Sequence, residues 1–354
     1  MGNKPMPAER IDLLDLSREE LTRLVAEWGE PRFRATQIWR WVYHSLKADP
    51  AEMVNLPHAL RERLAQETYI GRLSVVDTIA SEDGLTEKVA FATRDGQVIE
   101  TVLMRYTNRN TVCVSSQIGC AIGCPFCATG QQGFVRDLTA GEISAQVLYY
   151  AQKLGERGAH VTNVVMMGMG EPLLNFDAVW KAIRNLNDGE GLALGIRRFT
   201  ISTVGIVPGI ERLAQESSEV GLAVSLHAPD DALRDQLVPI NRRYPLEQLL
   251  KACRFYVERT GRRVTFEYAL VNGVNDSDEC AAKMVDLLRG LLCHVNLIPV
   301  NPVPGCPYEP PPRARVLRFQ EILVKGKVQT TVRLRRGIEI EAGCGQLRGR
   351  VLAQ

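Results

Sequence analysis

Apolar residues recur every three or four positions through the first part of the chain, which is the spacing of amphipathic helices. Three segments between residues 8 and 67 follow it: LSREELTRLVAEWG, FRATQIWRWVYHSL and LPHALRERLAQET. In the first segment Ser17 and Glu20 have the spacing of a capping box, which predicts that a helix begins after Ser17. The pattern therefore predicts a helical accessory domain over residues 1–70.

The period changes to two over residues 72–105, as expected for half-buried strands. Three runs alternate in this way: RLSVVDTIA, LTEKVAFAT and QVIETVLM. Asp-Gly pairs at 83–84 and 95–96 separate the runs, and this dipeptide favours tight hairpin turns. We predict a short antiparallel β extension over residues 71–107, in which Glu100 lies on the same, mostly apolar face as Val98 and Val102.

From residue 108 onward, short apolar runs alternate with helical segments. The runs suited to buried parallel strands are NTVCVSSQ, VTNVVMMG, RRFTIST, VGLAVSLH, RRVTFEYAL and CHVNLIPV. Six successive βα units predict an α/β fold, a partial (βα)6 barrel over residues 108–345, with a tail at 346–354. In such a fold the catalytic groups lie at the carboxyl ends of the strands.

Composition narrows the class of protein. The chain has 354 residues, is 45% hydrophobic and carries a net charge of +2, so it can bury a large core and is not a polyelectrolyte binder as a whole. No run of 18 apolar residues occurs, and the first residues lack the apolar stretch of a signal peptide. Nine cysteines in such a chain predict a cytoplasmic protein whose thiols are ligands or catalytic groups rather than structural disulfides.

Three cysteines lie close together after the first predicted barrel strand. Cys120, Cys124 and Cys127 have the spacing C-x3-C-x2-C, in a loop that contains Pro125 and two glycines. Structural zinc commonly has four ligands in two separated pairs, and neither a second pair nor a histidine at finger spacing follows here. Three thiolates suit a [4Fe–4S] cluster that leaves one iron open to a ligand from outside the protein.

This spacing after the first barrel strand resembles the radical S-adenosylmethionine (SAM) superfamily. In that superfamily the open iron binds SAM, and the reduced cluster cleaves it to a 5′-deoxyadenosyl radical. The resemblance implies one cluster per chain, with Cys120, Cys124 and Cys127 as its ligands, and SAM as the second cofactor.

The loop after the second predicted strand, MGMGEPLLN, is similar to the motif that contacts the SAM amino group in radical-SAM enzymes. Its variant form, together with SSQIGCAIGCPFCATG, SLHAP and GCGQL, resembles the bacterial radical-SAM methyltransferases of 23S rRNA that act on C2 of adenine 2503. The resemblance covers nearly the whole chain. It implies a SAM pocket lined at successive strand ends by Gly170, Glu171, Ser202, Ser225, Leu226, His227 and Asn301.

The same resemblance implies the roles of two further cysteines and a glutamate. Cys344, between two glycines, would accept a methyl group from a first SAM, and a second SAM would supply the radical, so two are used per turnover. Cys113 would release the product by forming a transient disulfide with Cys344, which a thiol reductant reopens. Glu100 would act as the general base that removes the C2 proton.

The resemblance also implies partners. The substrates would be 23S rRNA and tRNA, the latter at C2 of adenine 37, and the electron donor would be a protein such as flavodoxin or ferredoxin. We expect a monomer that does not bind membranes. Phosphate contacts are expected from the N-terminal helices, from the basic segment 313–336 and from the pairs Arg197–Arg198, Arg242–Arg243 and Arg262–Arg263.

Three alternatives stay open on the sequence. A resistance-type enzyme that methylates C8 of adenine in 23S rRNA shares all these cysteines. A zinc-stabilised RNA-binding protein would use the triplet for structure alone. A radical-SAM enzyme acting on small molecules is the third, and Cys113, Cys344 and Glu100 together argue against it. The other cysteines are expected to be structural: Cys253, Cys280, Cys293 and Cys306.

Overall fold

The computed structural model describes residues 10–71, 73–216, 219–333 and 337–349. Within these ranges the α-helices are α1 (Arg18–Glu27), α2 (Phe33–Trp39), α3 (His58–Glu67), α4 (Ala128–Gln131), α5 (Ala140–Gly155), α6 (Phe176–Asn187), α7 (Val207–Gln215), α8 (Asp231–Leu237), α9 (Leu246–Thr260), α10 (Asp278–Leu287) and α11 (Arg313–Lys325). Four short 3₁₀ turns lie between them, at Leu13–Asp15, Pro50–Glu52, Ile196–Arg198 and Pro239–Arg242, and a π-helical turn at Arg40–His44 continues α2.

The strands of the same ranges are β1 (Ile11–Asp12), β2 (Thr68–Tyr69), β3 (Ser74–Ala80), β4 (Thr86–Ala92), β5 (Val98–Tyr106), β6 (Arg109–Cys113), β7 (Gln117–Gly119), β8 (Phe134–Asp137), β9 (Asn163–Met166), β10 (Phe199–Thr203), β11 (Gly221–Ser225), β12 (Val264–Leu270), β13 (Cys293–Pro299) and β14 (Thr330–Val332). Ten of them form one sheet in the order β14-β13-β12-β11-β10-β9-β6-β5-β4-β3. Neighbours from β14 through to β6 are parallel, and β6, β5 and β4 pair antiparallel. The predicted fold class, a parallel βα series joined to an antiparallel extension, is therefore confirmed.

The parallel strands are buried because helical segments follow them along the chain. Val112, Val164, Ile201, Phe266 and Val295, on five different strands, have no exposed surface. Side chains alternate between the two faces of a strand, so the residues between these apolar positions point the other way. On that second face the register aligns a polar row across four neighbouring strands, Ser225, Glu267, Asn296 and Thr331.

The chain divides into two compact units. The first takes its described residues from 1–74, 138–161 and 177–195. Here the predicted capping box is present, because Ser17 Oγ accepts from the Glu20 amide and a Glu20 carboxylate oxygen accepts from the Ser17 amide. Buried Tyr43 stacks on Trp39 with ring centroids 4.3 Å apart, and Asn185 donates to its hydroxyl. The N-terminal helices thus have a well-packed core of their own.

The second unit comprises described residues of 75–137, 162–176 and 196–354, and it contains all the residues of the candidate site. Its largest departure from expectation is NTVCVSSQ, which was predicted as one strand. Here β6 ends at Cys113, and the chain leaves the large sheet so that β7 pairs antiparallel with β8 in a small hairpin. The amides of Ser116 and Gln117 both donate to the carbonyl of Met169, which draws this segment towards the loop after β9.

No helix in the described part of the chain is both long enough and apolar enough to cross a membrane.

Candidate active site

The cysteine triplet lies in the loop between β7 and α4, with Cys127 as the residue before the helix. Gly119 ends β7 with a φ of +72°, and a Cβ there would lie 1.8 Å from the carbonyl oxygen of Gly133. That carbonyl accepts a hydrogen bond from the Cys120 amide at 2.9 Å, which joins the loop to the start of β8. Only glycine fits at position 119, so the β7–β8 hairpin sets where the loop begins.

The three thiols form a mutually repelling donor set. Burial raises the pKa of Cys120 to about 12, and it raises those of Cys124 and Cys127, with neighbouring cysteines as further causes. Three such thiolates need a cationic partner. Among the described residues no three metal-binding side chains converge as they would around a single ion. Cysteine thiolates are the usual ligands of iron–sulfur clusters, so the chemistry of these three side chains fits a [4Fe–4S] cluster.

The loop after β9 is held by the buried carboxylate of Glu171. Its two oxygens accept from the amides of Leu173 at 3.0 Å and Val204 at 2.8 Å, which ties the loops after β9 and β10 together. Gly170 has a φ of +99°, and a Cβ there would lie 2.5 Å from Cβ of Gln117. Burial raises the pKa of Glu171 to about 7. The predicted glycine–glutamate motif is therefore built for close backbone packing against the cluster loop.

The strand ends enclose a cavity of about 160 Å³. Cys124, Phe126 and Cys127 lie on its wall, and six of the seven predicted SAM-pocket residues line it: Gly170, Glu171, Ser202, Ser225, His227 and Asn301. The seventh, Leu226, is fully buried and is not part of the lining; its amide donates to the carbonyl of Glu267 at 2.9 Å. Cys120 is also outside the lining. The cavity thus joins the cluster loop to the ends of five successive strands, β9 to β13.

His227 is buried at the end of β11 with a φ of +59°. Its Nδ1 accepts a hydrogen bond from the Ala269 amide at 2.9 Å, so the ring proton lies on Nε2. Burial lowers the pKa of His227 to about 3, with Arg234 as a second cause, so the ring is neutral. The Phe126 ring, beside Cys127, meets it edge to face with centroids 5.0 Å apart. His227 is therefore a buried histidine whose Nδ1 has a hydrogen-bond partner, and it also lines the cavity.

Cys344 reaches the same cavity from a distant part of the chain. Asn301 Nδ2 donates to the Cys344 carbonyl at 3.0 Å, and the Ala128 amide donates to the Gly345 carbonyl at 2.7 Å. A second, smaller cavity of about 40 Å³ has both Cys344 and Cys113 in its lining. All nine cysteines are free thiols, and burial, then Cys344, raises the pKa of Cys113 to about 12. The two thiols predicted to react with each other thus share one pocket.

Glu100 lies on β5 and is 6% exposed. The expectation of a mostly apolar surrounding was wrong, because Lys88 from the neighbouring strand places its Nζ 3.0 Å from Oε1. The other oxygen, Oε2, accepts from the amides of Arg348 at 2.6 Å and Gly349 at 3.2 Å. The carboxylate is therefore fully surrounded by donors, two of them on the segment that follows Cys344.

Comparison with known proteins identifies the family. The family model for the ribosomal RNA large subunit methyltransferase N-terminal domain matches residues 11–70, and that for the radical SAM superfamily matches residues 114–285. A probable dual-specificity RNA methyltransferase RlmN from Roseiflexus castenholzii is 47% identical, covering 96% of both chains; one from Chloroflexus aurantiacus is 49% identical, covering 97% of this chain and 94% of the relative. The chain belongs to the RlmN family.

A solved structure supports the same conclusion for this RlmN-family chain. A radical SAM methyltransferase from Sphaerobacter thermophilus matches it with a TM-score of 0.93 at 53% identity, over 96% of this chain and 100% of that one. The family and the radical-SAM fold expected from the sequence motifs are thereby confirmed.

Some residues of this RlmN-family site were not anticipated. Thr129, Met167, Glu267 and Arg333 line the main cavity, and Lys88 pairs with Glu100. Glu267 left a signal in the sequence, since it is a charged residue inside the otherwise apolar strand VTFEYAL. No feature of the sequence distinguishes Arg333 from the neighbouring basic residues, because its position in the cavity lining depends on how β14 pairs with β13.

Several of the basic residues expected to contact RNA are ion-paired within the described chain, and residues 334–336 of the basic segment lie outside it. Arg315 and Arg318 on α11 both pair with Asp278, Lys325 pairs with Glu321, and in the other unit Arg40 pairs with Glu190. Exposed pairs of this kind contribute little free energy, so phosphates can replace the carboxylates. The structure leaves the location of the RNA-binding surface as a prediction. Of the remaining cysteines, Cys306 donates to the carbonyl of Pro125 in the cluster loop.

Proposed function

We propose that this RlmN-family protein methylates C2 of adenine 2503 in 23S rRNA and C2 of adenine 37 in tRNAs, using an S-methylcysteine intermediate. The observation that carries the proposal is the position of Cys344. Cys344 lines the main cavity together with Cys124 and Cys127, and it lines the smaller cavity together with Cys113. The relatives are named as probable dual-specificity RNA methyltransferases, which supports the choice of RNA as substrate.

Cys120, Cys124 and Cys127 would hold the cluster, and the strand ends would hold SAM. When bound, the reduced cluster supplies the electron that converts SAM to a 5′-deoxyadenosyl radical. The neutral His227, the Glu171 carboxylate and the unpaired Oδ1 of Asn301 all border the cavity and can accept or donate hydrogen bonds to a polar ligand. These residues would orient SAM and keep water from the reactive carbon.

A cysteine that carries the methyl group is needed because of the chemistry of adenine C2. Adenine C2 is an electron-poor ring carbon and does not attack the methyl group of SAM. The Cys344 sulfur is a good nucleophile and would take that methyl group by displacement. Loss of one hydrogen atom from the S-methyl group would then give a carbon radical that adds to C2. Flanking Gly343 and Gly345 place no side chains beside this thiol, and Gly345 has a φ of +81°.

Cys113 and Glu100 would complete the reaction. Attack by Cys113 on the Cys344 sulfur breaks the bond from that sulfur to the methylene carbon and forms a disulfide, which a thiol reductant reopens. Glu100 would remove the C2 proton as the radical adduct returns one electron to the oxidised cluster, and the methylene carbon released from sulfur would take up a proton to become the methyl group. For it to act, one oxygen must leave the amides of Arg348 and Gly349, so the tail has to move when RNA binds. The N-terminal domain, over residues 1–70, would dock the RNA.

The decisive experiment is methylation of unmodified 23S rRNA by the anaerobically reconstituted protein, followed by mass spectrometry of the digested RNA. We expect one methyl group on C2 of adenine 2503. A methyl group on C8 would establish the resistance-type activity instead. Absence of methylation by a protein that contains iron, sulfide and bound SAM would contradict the proposal. A second substrate, unmodified tRNA, tests the activity at adenine 37 in the same assay.

A further inference from the structure

One buried carboxylate oxygen in the main cavity has no hydrogen-bond partner among the described residues. Glu267 on β12 is 5% exposed, and its Oε1 accepts from Asn296 Nδ2 at 3.0 Å. Its Oε2 is unpaired, with Arg333 Nη1 the nearest charge at 3.9 Å. Leaving a buried acceptor unpaired is unfavourable, so such an atom indicates a hydrogen-bond donor on a ligand.

The Glu267 carboxylate is held in a fixed orientation. Glu267, Asn296 and Thr331 are register partners on β12, β13 and β14. Thr331 Oγ1 donates to Asn296 Oδ1 at 2.6 Å, which leaves the amide nitrogen of Asn296 to donate to Glu267. This chain of hydrogen bonds belongs to the sheet and not to a loop, so Oε2 is presented to the cavity by a rigid element.

Arg333 borders both cavities. It lines the main cavity with Glu267, and it lines the smaller cavity that contains Cys113 and Cys344. The pKa of Arg333 is raised, with Cys344 the largest cause and Glu267 a further one. An acceptor, a donor and a reactive sulfur therefore border one cavity, on Glu267, Arg333 and Cys344.

We propose that Glu267 and Arg333 recognise the target adenine of the RNA, with Glu267 Oε2 accepting from the N6 amino group and the Arg333 guanidinium donating to N1. Along that edge of adenine the order of atoms is N6, N1, C2, so C2 lies next to the atom that Arg333 contacts, and Cys344 lines both cavities with Arg333. Binding in this way brings C2 to the Cys344 sulfur. The inference rests on the proposed function and adds the residues that select the base.

The adenine of SAM carries the same edge and is the other source of this chemistry. The target base is favoured because Arg333 also borders the cavity of the two reacting thiols, where the substrate carbon must arrive. The opposite edge of adenine, N6, N7, C8, has the same order of donor, acceptor and carbon. 7-Deazaadenosine has a carbon atom in place of N7 and keeps N6, N1 and C2. We expect the protein to bind and methylate an RNA with this base at the target position to the same extent as the adenosine RNA.

The main test compares RNAs with adenosine or inosine at the target position. Inosine keeps the C2 hydrogen but presents a carbonyl oxygen and N1–H, the reverse of the adenine pattern. The wild-type protein should prefer adenosine in both kcat/KM and RNA affinity. Glu267→Gln, whose amide can donate to the inosine carbonyl, should reduce that preference by about tenfold or more, the range of one bidentate base contact. Glu258→Gln, on the exposed surface of α9, is the matched control and should keep the wild-type ratio.

Each other outcome counts against the inference. If Glu267→Gln loses the same fraction of kcat/KM on the adenosine and inosine RNAs, Glu267 has a structural role. If the variant holoprotein binds SAM more weakly but keeps the wild-type preference for adenosine RNA, Glu267 and Arg333 bind the adenine of SAM instead. Loss of activity with the 7-deazaadenosine RNA would assign it to the opposite edge. A wild-type protein that binds adenosine and inosine RNAs equally overturns the inference even without turnover. Failure to methylate adenosine RNA, with the binding preference present, overturns only the proposed function.

Discussion

At the scale of single residues, two thiols far apart in sequence have different surroundings that suit different steps. Cys344 is exposed and flanked by glycines, whereas Cys113 is buried at the end of β6. An exposed thiol can reach SAM and then the RNA base. A buried thiol with a raised pKa stays protonated until the adduct forms beside it. The order of their use would follow from these environments.

The first prediction concerns these two thiols. Cys344→Ala should abolish methylation, because no carrier for the methyl group remains. Cys113→Ala should still form the bond between Cys344 and C2 but fail to break it, so labelled RNA should migrate with the protein on a denaturing gel. Cys293→Ala, at the start of β13 and outside both cavities, should behave as wild type. Normal turnover in either of the first two variants would contradict the carrier mechanism.

The second prediction concerns the ion pair of Lys88 and Glu100, whose side chains are 9% and 7% exposed. Lys88→Met leaves a buried carboxylate without its counter-ion, which should lower the free energy of unfolding by about 3 kcal/mol. Urea titration measures this. The double variant Lys88→Met/Glu100→Gln removes both charges and should recover most of the loss. Equal losses in the single and double variants would show that the pairing of charges is not the cause.

At the scale of elements, the β7–β8 hairpin determines where the cluster loop starts. The apolar run before the cysteines predicted one continuous strand, but the chain leaves the large sheet at residues 114–116, and the amides of Ser116 and Gln117 donate to the carbonyl of Met169. The period of apolar residues cannot reveal such a division, because the acceptor of these hydrogen bonds, Met169, lies about 50 residues farther along the chain. The triplet was predicted to follow the first barrel strand directly, but that strand ends at Cys113 and the triplet follows β7, which pairs only with β8.

The third prediction tests this hairpin. Gly119→Ala places a Cβ against the carbonyl of Gly133 and should displace the loop, so the anaerobically purified variant should contain much less iron and sulfide than wild type. Gly84→Ala is the matched control, because Gly84 has a similar φ of +65° and nothing within 4 Å of the added Cβ. It should keep full metal content. Full metal content in Gly119→Ala would mean that the loop does not depend on the hairpin.

At the scale of the whole molecule, the hydrophobic core and the candidate chemistry are largely separate. Fully buried side chains such as Val164, Ile201 and Phe266 pack along the parallel strands, whereas the triplet lies in a loop beyond them. The cluster would therefore be held by the fold without being needed for it. A structural zinc site behaves in the opposite way, because metal binding then drives folding.

The fourth prediction follows from this separation. A variant with Cys120→Ala, Cys124→Ala and Cys127→Ala should lack iron and sulfide yet keep the wild-type circular dichroism spectrum and cooperative urea unfolding. The wild-type protein stripped of its metal is the control and should unfold like the variant. Loss of cooperative unfolding in both would favour the zinc-stabilised alternative.

The sequence by itself determined the elements, the antiparallel extension followed by parallel strands, and the three thiols at cluster spacing, because these depend on periodicity and short separations along the chain. The resemblance of its motifs led to Cys344, Cys113 and Glu100 one at a time. Only the tertiary structure decided that Cys344 shares cavities with both Cys124 and Cys113, that Lys88 pairs with Glu100, and that Glu267 stands beside Arg333. These neighbours are set by strand register and loop packing between residues far apart in sequence, which no local pattern encodes.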